Sequence, residues 1–167
     1  ENSNVRVEYE EKTINVSNKK IKIGLKIAKN IFKKYDDLHL RIYLSLILKA
    51  NFGSTSDFKE LLLSKEIISD LSYMYELFDD YIVIMFTVDS DYEDEVIKQF
   101  NEKLNNLEIS EKCFIRMKKA LIANIILEYE DIEFVNSLIQ LEILHYDKII
   151  SNIKEIYETL NIEDVNK

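Results

Sequence analysis

Apolar and polar residues alternate along the first part of the chain and then change period. Residues 5–9 (VRVEY) and 13–16 (TINV) alternate, which predicts two short strands. Residues 20–27 (KIKIGLKI) alternate more cleanly. Ile21, Ile23, Leu25 and Ile27 fall on one face, and Lys20, Lys22 and Lys26 on the other. Gly24, in mid-strand, predicts a bulge or a close backbone approach. Residues 36–50 alternate too, but Leu38, Ile42 and Leu46 also stack at helical spacing, and Asp36 suits a cap. The leucine content decides for a helix that is apolar on more than one side and therefore well buried.

Next comes FGSTS at 52–56, with Gly53 where a helix should end. Ser54, Thr55 or Ser56 can cap a second helix, whose Phe58, Leu61, Leu62 and Lys65 run to Ile67. Residues 70–77 and 81–88 form a strand pair around a turn at Phe78-Asp79-Asp80. Leu71, Tyr73, Tyr75 and Leu77 share one face of the first strand. The second strand, YIVIMFTV, is apolar on both faces. That suits a central strand covered on both sides or lying in an interface.

After Ser90 the period becomes helical. Ser90 and Glu93 fit a capping box ahead of Val96, Phe100, Leu104 and Leu107. Ser110 caps a helix with Phe114, Met117, Leu121 and Ile125 inward. A third opens at Asp131 and turns Phe134, Leu138, Leu141 and Leu144 inward. Ile149, Ile153, Ile156 and Leu160 mark a fourth, and the final NIEDVNK reads as another helix start with Asn161 as cap. Strands, two helices, a strand pair and then a run of helices do not alternate as βαβ. The fold class this predicts is α+β, a two-layer domain with an antiparallel sheet backed by helices.

Length and charge narrow the function. At 167 residues with 47% hydrophobic content, the chain fits a single domain spanning 1–167 with a real core. Two glycines and no proline favour long regular elements over loops. A net charge of −9 with scattered lysines argues against nucleic acid as a partner. No uncharged run reaches the roughly 18 residues of a membrane span, and the opening residues lack the pattern of a signal peptide. The expectation is a cytoplasmic protein. Residue 1 is Glu, as in a mature piece, a trimmed chain or a segment of a longer protein.

Candidate chemistry is sparse. Cys113 is the one cysteine, so no intramolecular disulfide or cysteine cluster forms. It falls in the first turn of its helix, where a thiolate is somewhat stabilised, but no base lies near it in sequence. The two histidines, His39 and His145, are far apart and start neither H-x-x-E-H nor H-E-x-x-H. The acidic pairs Asp79-Asp80 and Asp89 with Asp91, and the group Glu128, Glu130 and Asp131, match no calcium loop. Tyr73, Tyr75 and Tyr81 make a candidate aromatic, peptide-facing surface on the strand pair, with core packing as the alternative.

In order and spacing, several stretches resemble the second-half domain of insulinase/pitrilysin-family peptidases, the zinc enzymes with the inverted H-x-x-E-H motif. The likeness is greatest to the bacterial processing-peptidase-like branch. The stretches are the Phe-Gly-Ser-x-Ser loop at 52–56, Ile-Ile-Ser-Asp at 67–70, Ser-Tyr-x-Tyr at 72–75 and Asp89-Ser90. They continue with ISEKCFIRMKKALI at 109–122, Glu133-Phe134-Val135, and Ile162 to Asn166, and IGLKI at 23–27 resembles the opening strand. The resemblance implies that this chain is the non-zinc half of a clamshell. It would help to enclose and orient a peptide opposite a zinc-bearing sister domain or subunit, and would hold no metal or cofactor itself. Gly53, Ser54 and Ser56 would form its structural loop. An inactive family subunit acting as a scaffold, or an unrelated α+β peptide-binding module, are the alternatives. The chain departs from the family pattern at Glu66, where glycine is common, and in helix 134–146. There Leu141 and Glu142 stand about where active members carry an Arg and a Tyr.

Overall fold

The computed structural model describes residues 5–13, 19–150 and 152–166. It is an α+β protein with three strands and seven α-helices among the described residues. They fall into two compact units. One comprises residues up to Asp36 together with Leu48–Leu107, and the other Asp37–Ile47 together with Glu108–Lys167.

The first unit holds the sheet. β1 (Lys20–Ala28), β2 (Asp70–Leu77) and β3 (Tyr81–Asp89) pair antiparallel in the order β1-β3-β2. The register is unbroken. Lys20 sits opposite Asp89 and Ala28 opposite Tyr81 on one side, and Asp70 opposite Asp89 and Leu77 opposite Ile82 on the other. Period-two alternation then sends Ile82, Ile84, Phe86 and Val88 to one face, where each is buried. The last turn of α1 (Asp37–Phe52), α2 (Asp57–Ser64) and α3 (Glu93–Leu104) cover that face. Phe52 and Phe100 stack at 5.7 Å, Phe86 meets them at 4.6 and 5.2 Å, and Phe58 closes the group at 5.5 and 5.3 Å. Four rings in tilted, edge and stacked contact give the unit a dense aromatic centre, each pair worth about 0.5–1.5 kcal/mol beyond its area.

Several expectations change here. Residues 5–9 are described and form no strand; Val5, Val7 and Tyr9 are exposed. Alternation over five residues cannot hold a strand without a buried face to pack. Of 13–16, Thr13 is irregular and 14–16 lie outside the described residues. Gly24 makes no bulge, and a Cβ there would meet nothing within 4 Å. β3 is central, but only one of its faces is closed. Tyr81, Val83, Met85, Thr87 and Asp89 are half-exposed.

The helix ends are set by local bonding. Ser56 is the cap of α2, its Oγ accepting from the Lys59 N–H at 3.2 Å. The helix stops at Ser64, short of Ile67, because Glu66 turns left-handed at φ 56°. The Ile67 N–H then donates to the Leu62 carbonyl and the Glu66 N–H to the Leu63 carbonyl, both at 3.0 Å, which is the Schellman closure. This explains why glycine suits position 66. Gly53, by contrast, has no positive φ. It is needed because a Cβ would lie 2.3 Å from the Lys49 carbonyl oxygen. The capping box at Ser90 and Glu93 does not form. Ser90 is buried, donates to the Ile67 carbonyl at 2.6 Å and accepts from the Tyr92 N–H, while Glu93 opens α3 and pairs with Lys19.

The second unit is helical. It contains the first eleven residues of α1, and α4 (Glu111–Glu128), α5 (Ile132–Tyr146), α6 (Ile153–Thr159) and α7 (Ile162–Val165). Ser110 caps α4, Asp131 caps α5 through the Glu133 and Phe134 N–H groups, and Asn161 caps α7. α1 buries residues around most of its circumference, among them Leu40, Ile42, Leu46 and Leu48. α4 packs on α6, and the Lys118 ammonium donates to the carbonyls of Glu158 and Leu160 at the end of α6. Asn166 uses its side-chain amide as a backbone would. Its Oδ1 accepts from the Ile109 N–H at 2.9 Å, and its Nδ2 donates to the Ile109 carbonyl at 3.1 Å.

Two helical stripes differ from expectation. α6 begins at Ile153, leaving Ile149 exposed and Ile150 buried ahead of it. In α5, Leu141 and Leu144 are exposed, at 52% and 80%. Phe134 and Leu138 lie on the covered side as expected, together with Val135, Ile139, Glu142 and Tyr146. The expected stripe leaves that face after Leu138, where the carboxylate of Glu142 takes the buried place. α5 is apolar nearly all round, so periodicity alone selects no face. The Ile150 N–H, bonded to Glu142 Oε2 at 2.8 Å, selects it.

Candidate functional site

The strand pair 70–88 carries the candidate peptide-facing residues, and its register separates them. Tyr73 and Tyr75 stand opposite Phe86 and Ile84, on the helix-covered face. Tyr81 stands opposite Ala28, on the outer face. The three tyrosines therefore form no common aromatic surface, because residues 75 and 81 differ by an even count but a hairpin turn lies between them. Tyr73 lies 6.4 Å from the Phe86 ring. Burial, followed by the neighbouring Tyr75, holds its hydroxyl above the usual phenol range. Tyr81 stacks on Phe78 at 4.8 Å across the turn, and the Lys26 ammonium lies 4.5 Å over its ring.

The 52–56 loop is structural in its contacts. Gly53 closes on Lys49, the Ser56 N–H donates to the Gly53 carbonyl at 3.0 Å, and Ser56 caps α2. Ser54 is exposed. The next connection is similarly self-contained. Ser69 donates from both its N–H and its hydroxyl to the Asp89 carbonyl, and Lys59 bonds Asp70 at 2.8 Å and the Leu71 carbonyl at 2.7 Å. Lys59 holds the Asp70 carboxyl below the usual carboxylate range. A depression of about 320 Å³ opens here between Glu66, Ile67, Ser69, Asp89, Asp91 and Tyr92. Its Asp89 carboxylate is already paired with Lys20 at 2.8 Å.

The other candidates stay apart. His39 is half-buried beside Tyr43, with ring centroids 6.3 Å apart, and His145 is exposed in the last turn of α5. Cys113 is half-buried, with its sulfur 3.7 Å from Met117 Sδ and 3.8 Å from Arg116 Nη2. Among the described residues, no group of three His, Cys, Asp or Glu side chains could hold a metal ion. Nor is any described helix long and apolar enough to cross a membrane. Glu142, the buried carboxylate of α5, was not singled out for the role it has. Its bond to Ile150, eight residues on, makes it a fastener for the α5–α6 loop. No sequence pattern marks such a bond.

No family model and no curated protein matches the chain. Solved structures do. A protein described as an M16-like peptidase from Alicyclobacillus acidocaldarius superposes with a TM-score of 0.71 at 17% identity, over 90% of this chain and 37% of its own. The periplasmic protease PqqL from Escherichia coli gives 0.70 at 13% identity, over 88% of this chain and 17% of its own. A chain of complex III2 from Candida albicans, in a structure with Inz-5 bound, gives 0.54 at 14% identity, over 90% and 39%. The chain thus spans well under half the length of these neighbours. What it shares with them is the fold, that of one portion of M16-like peptidase structures.

Proposed function

We propose that this chain is the non-zinc domain of an insulinase-type (M16) metallopeptidase-like protein, enclosing and orienting extended peptide opposite a zinc-bearing sister domain or subunit. One observation carries the reading: 90% of the chain superposes on little more than a third of an M16-like peptidase, so a larger assembly is needed to complete that architecture. In this reading the zinc chemistry belongs to the sister portion, since this sequence carries no H-x-x-E-H motif. In this reading Glu142, where active members carry a substrate-assisting side chain, contributes no catalysis, because its carboxylate is buried on Ile150. Cytoplasmic placement belongs to the same proposal; PqqL itself is periplasmic.

The burial of Glu142 also favours a second reading, an inactive family subunit that serves as a scaffold. Metal analysis and a quenched-peptide cleavage assay test both. The chain alone should bind no stoichiometric zinc and cleave nothing; tight zinc or cleavage by the chain alone would sink both. Co-produced with an H-x-x-E-H portion encoded in the same or a neighbouring gene, it should restore chelator-sensitive cleavage. Peptide binding without cleavage selects the scaffold, and the absence of any such encoded portion removes the first reading.

A further inference from the structure

The outward side of α4 sorts its charges by sign along its length. At about 3.6 residues per turn, Phe114 and Ile125 mark the buried side of this helix. Opposite them stand Lys112, Arg116 and Lys119, then Ala123, Ile126 and Leu127, and finally Glu130 in the turn beyond Tyr129. All seven are exposed. Glu133, in the first turn of α5, adds a second acid at that end. Lys112, Arg116, Lys119, Glu130 and Glu133 enter no ion pair with a described residue. Lys118, on the α6 side of the helix, is by contrast engaged with carbonyls of its own chain.

The sorting does not serve the helix itself. A helix dipole favours anions at the start and cations at the end. Here Lys112 stands in the first turn and no basic residue in the last, and Glu111 alone suits the dipole at the start.

We propose that two copies of this chain pair through this side of α4, antiparallel, about a two-fold axis that passes at Ala123. Residues equally distant from Ala123 then meet. Arg116 of each copy faces Glu130 of the other, and Lys112 comes level with the corner that carries Glu133. Leu127 lies against the methylene stem of Lys119, Ile126 lies on Ala120, and Ala123 meets its own counterpart, where its small side chain permits close approach. Each contact occurs twice, as an isologous interface requires. The centre is apolar and the two ends are charged. The charges also fix the register. A parallel pair sets cation on cation, and an axis moved one turn toward Lys119 brings the two basic halves together.

A helix of 18 residues presents roughly 27 by 10 Å, about a third of one side of a standard interface. The association is therefore weak and concentration-dependent. It does not rest on the peptidase reading.

Analytical ultracentrifugation of the 167-residue chain, from micromolar to millimolar concentration, tests it. A reversible dimer is expected, weakened by added salt. Arg116→Glu should weaken it about tenfold, since two attractions become two repulsions, and Arg116→Glu with Glu130→Arg should restore it. Ala123→Arg sets two cations on the axis and should abolish the dimer. Because residue 123 is exposed, the melting temperature of the monomer should not fall, which separates lost docking from lost folding. A chain that stays monomeric throughout, or a dimer that either Arg116→Glu or Ala123→Arg leaves unmoved, overturns the proposal.

Discussion

The sheet unit and the helical unit solve the same problem differently. In the sheet unit, one hydrogen-bonded register decides the face of every strand residue at once, and the face it buries is Ile82, Ile84, Phe86 and Val88. In the helical unit, α5 offers apolar residues on all sides. It leaves Ile132 and Leu144 at 83% and 80% exposure while burying the carboxylate of Glu142. The lesson is that a buried polar bond can outrank apolar content in orienting a helix. An unpaired buried N–H costs about 1–3 kcal/mol, while the choice among several leucines costs little.

The sharpest way to break this contrast is to truncate one residue from each unit. Phe86→Ala should cost about 3–5 kcal/mol in urea unfolding followed by circular dichroism, because it empties the centre of the four-ring cluster. Leu144→Ala should change stability by no more than about 0.5 kcal/mol. Comparable losses from the two would mean that α5 faces the other way. Gly53→Ala comes next, at about 1–3 kcal/mol, since the added methyl strikes the Lys49 carbonyl; a neutral result would show that the loop relaxes freely. Glu142→Ala should cost about 1–3 kcal/mol through the orphaned Ile150 N–H, and Glu142→Gln, which keeps an acceptor, clearly less. Equal losses would mean that the charge and not the hydrogen bond matters. The smallest effect has the opposite sign. Glu66→Gly should raise stability by about 0.5–1 kcal/mol by removing left-handed strain. A loss would show that the Glu66 side chain contributes more than its backbone costs.

What was legible in the sequence follows the same divide. The strands 20–27, 70–77 and 81–88 could be read because period two leaves only two choices, and the turn at 78–80 pairs the last two. The caps at Ser110, Asp131 and Asn161 were legible, and Ser56 as one of three neighbouring candidates, because a short oxygen before an apolar stripe has few other uses. Ser90 misled for the same reason. Its hydroxyl was spent on Ile67, a partner 23 residues away that no local pattern reveals. The candidate site was less legible. Tyr73, Tyr75 and Tyr81 look alike in a row, and only the count of residues through the Asp79-Asp80 turn puts Tyr81 on the opposite side from the other two.

The clasp between Asn166 and Ile109 has a consequence in time. The sheet unit contains no residue beyond Leu107, so all of it has been synthesised while the helical unit still lacks most of its chain. The helical unit joins residues 37–47 to residues from 108 onward, and its clasp needs the side chain of Asn166. At translation speeds of about 5–20 residues per second, the first eleven residues of α1 wait roughly 3–12 s for even the first of their partners. During that interval Leu40, Ile42 and Leu46 have no finished core to enter. The nascent chain is most open to chaperones, and to mispairing, at the one helix whose residues are divided between both units.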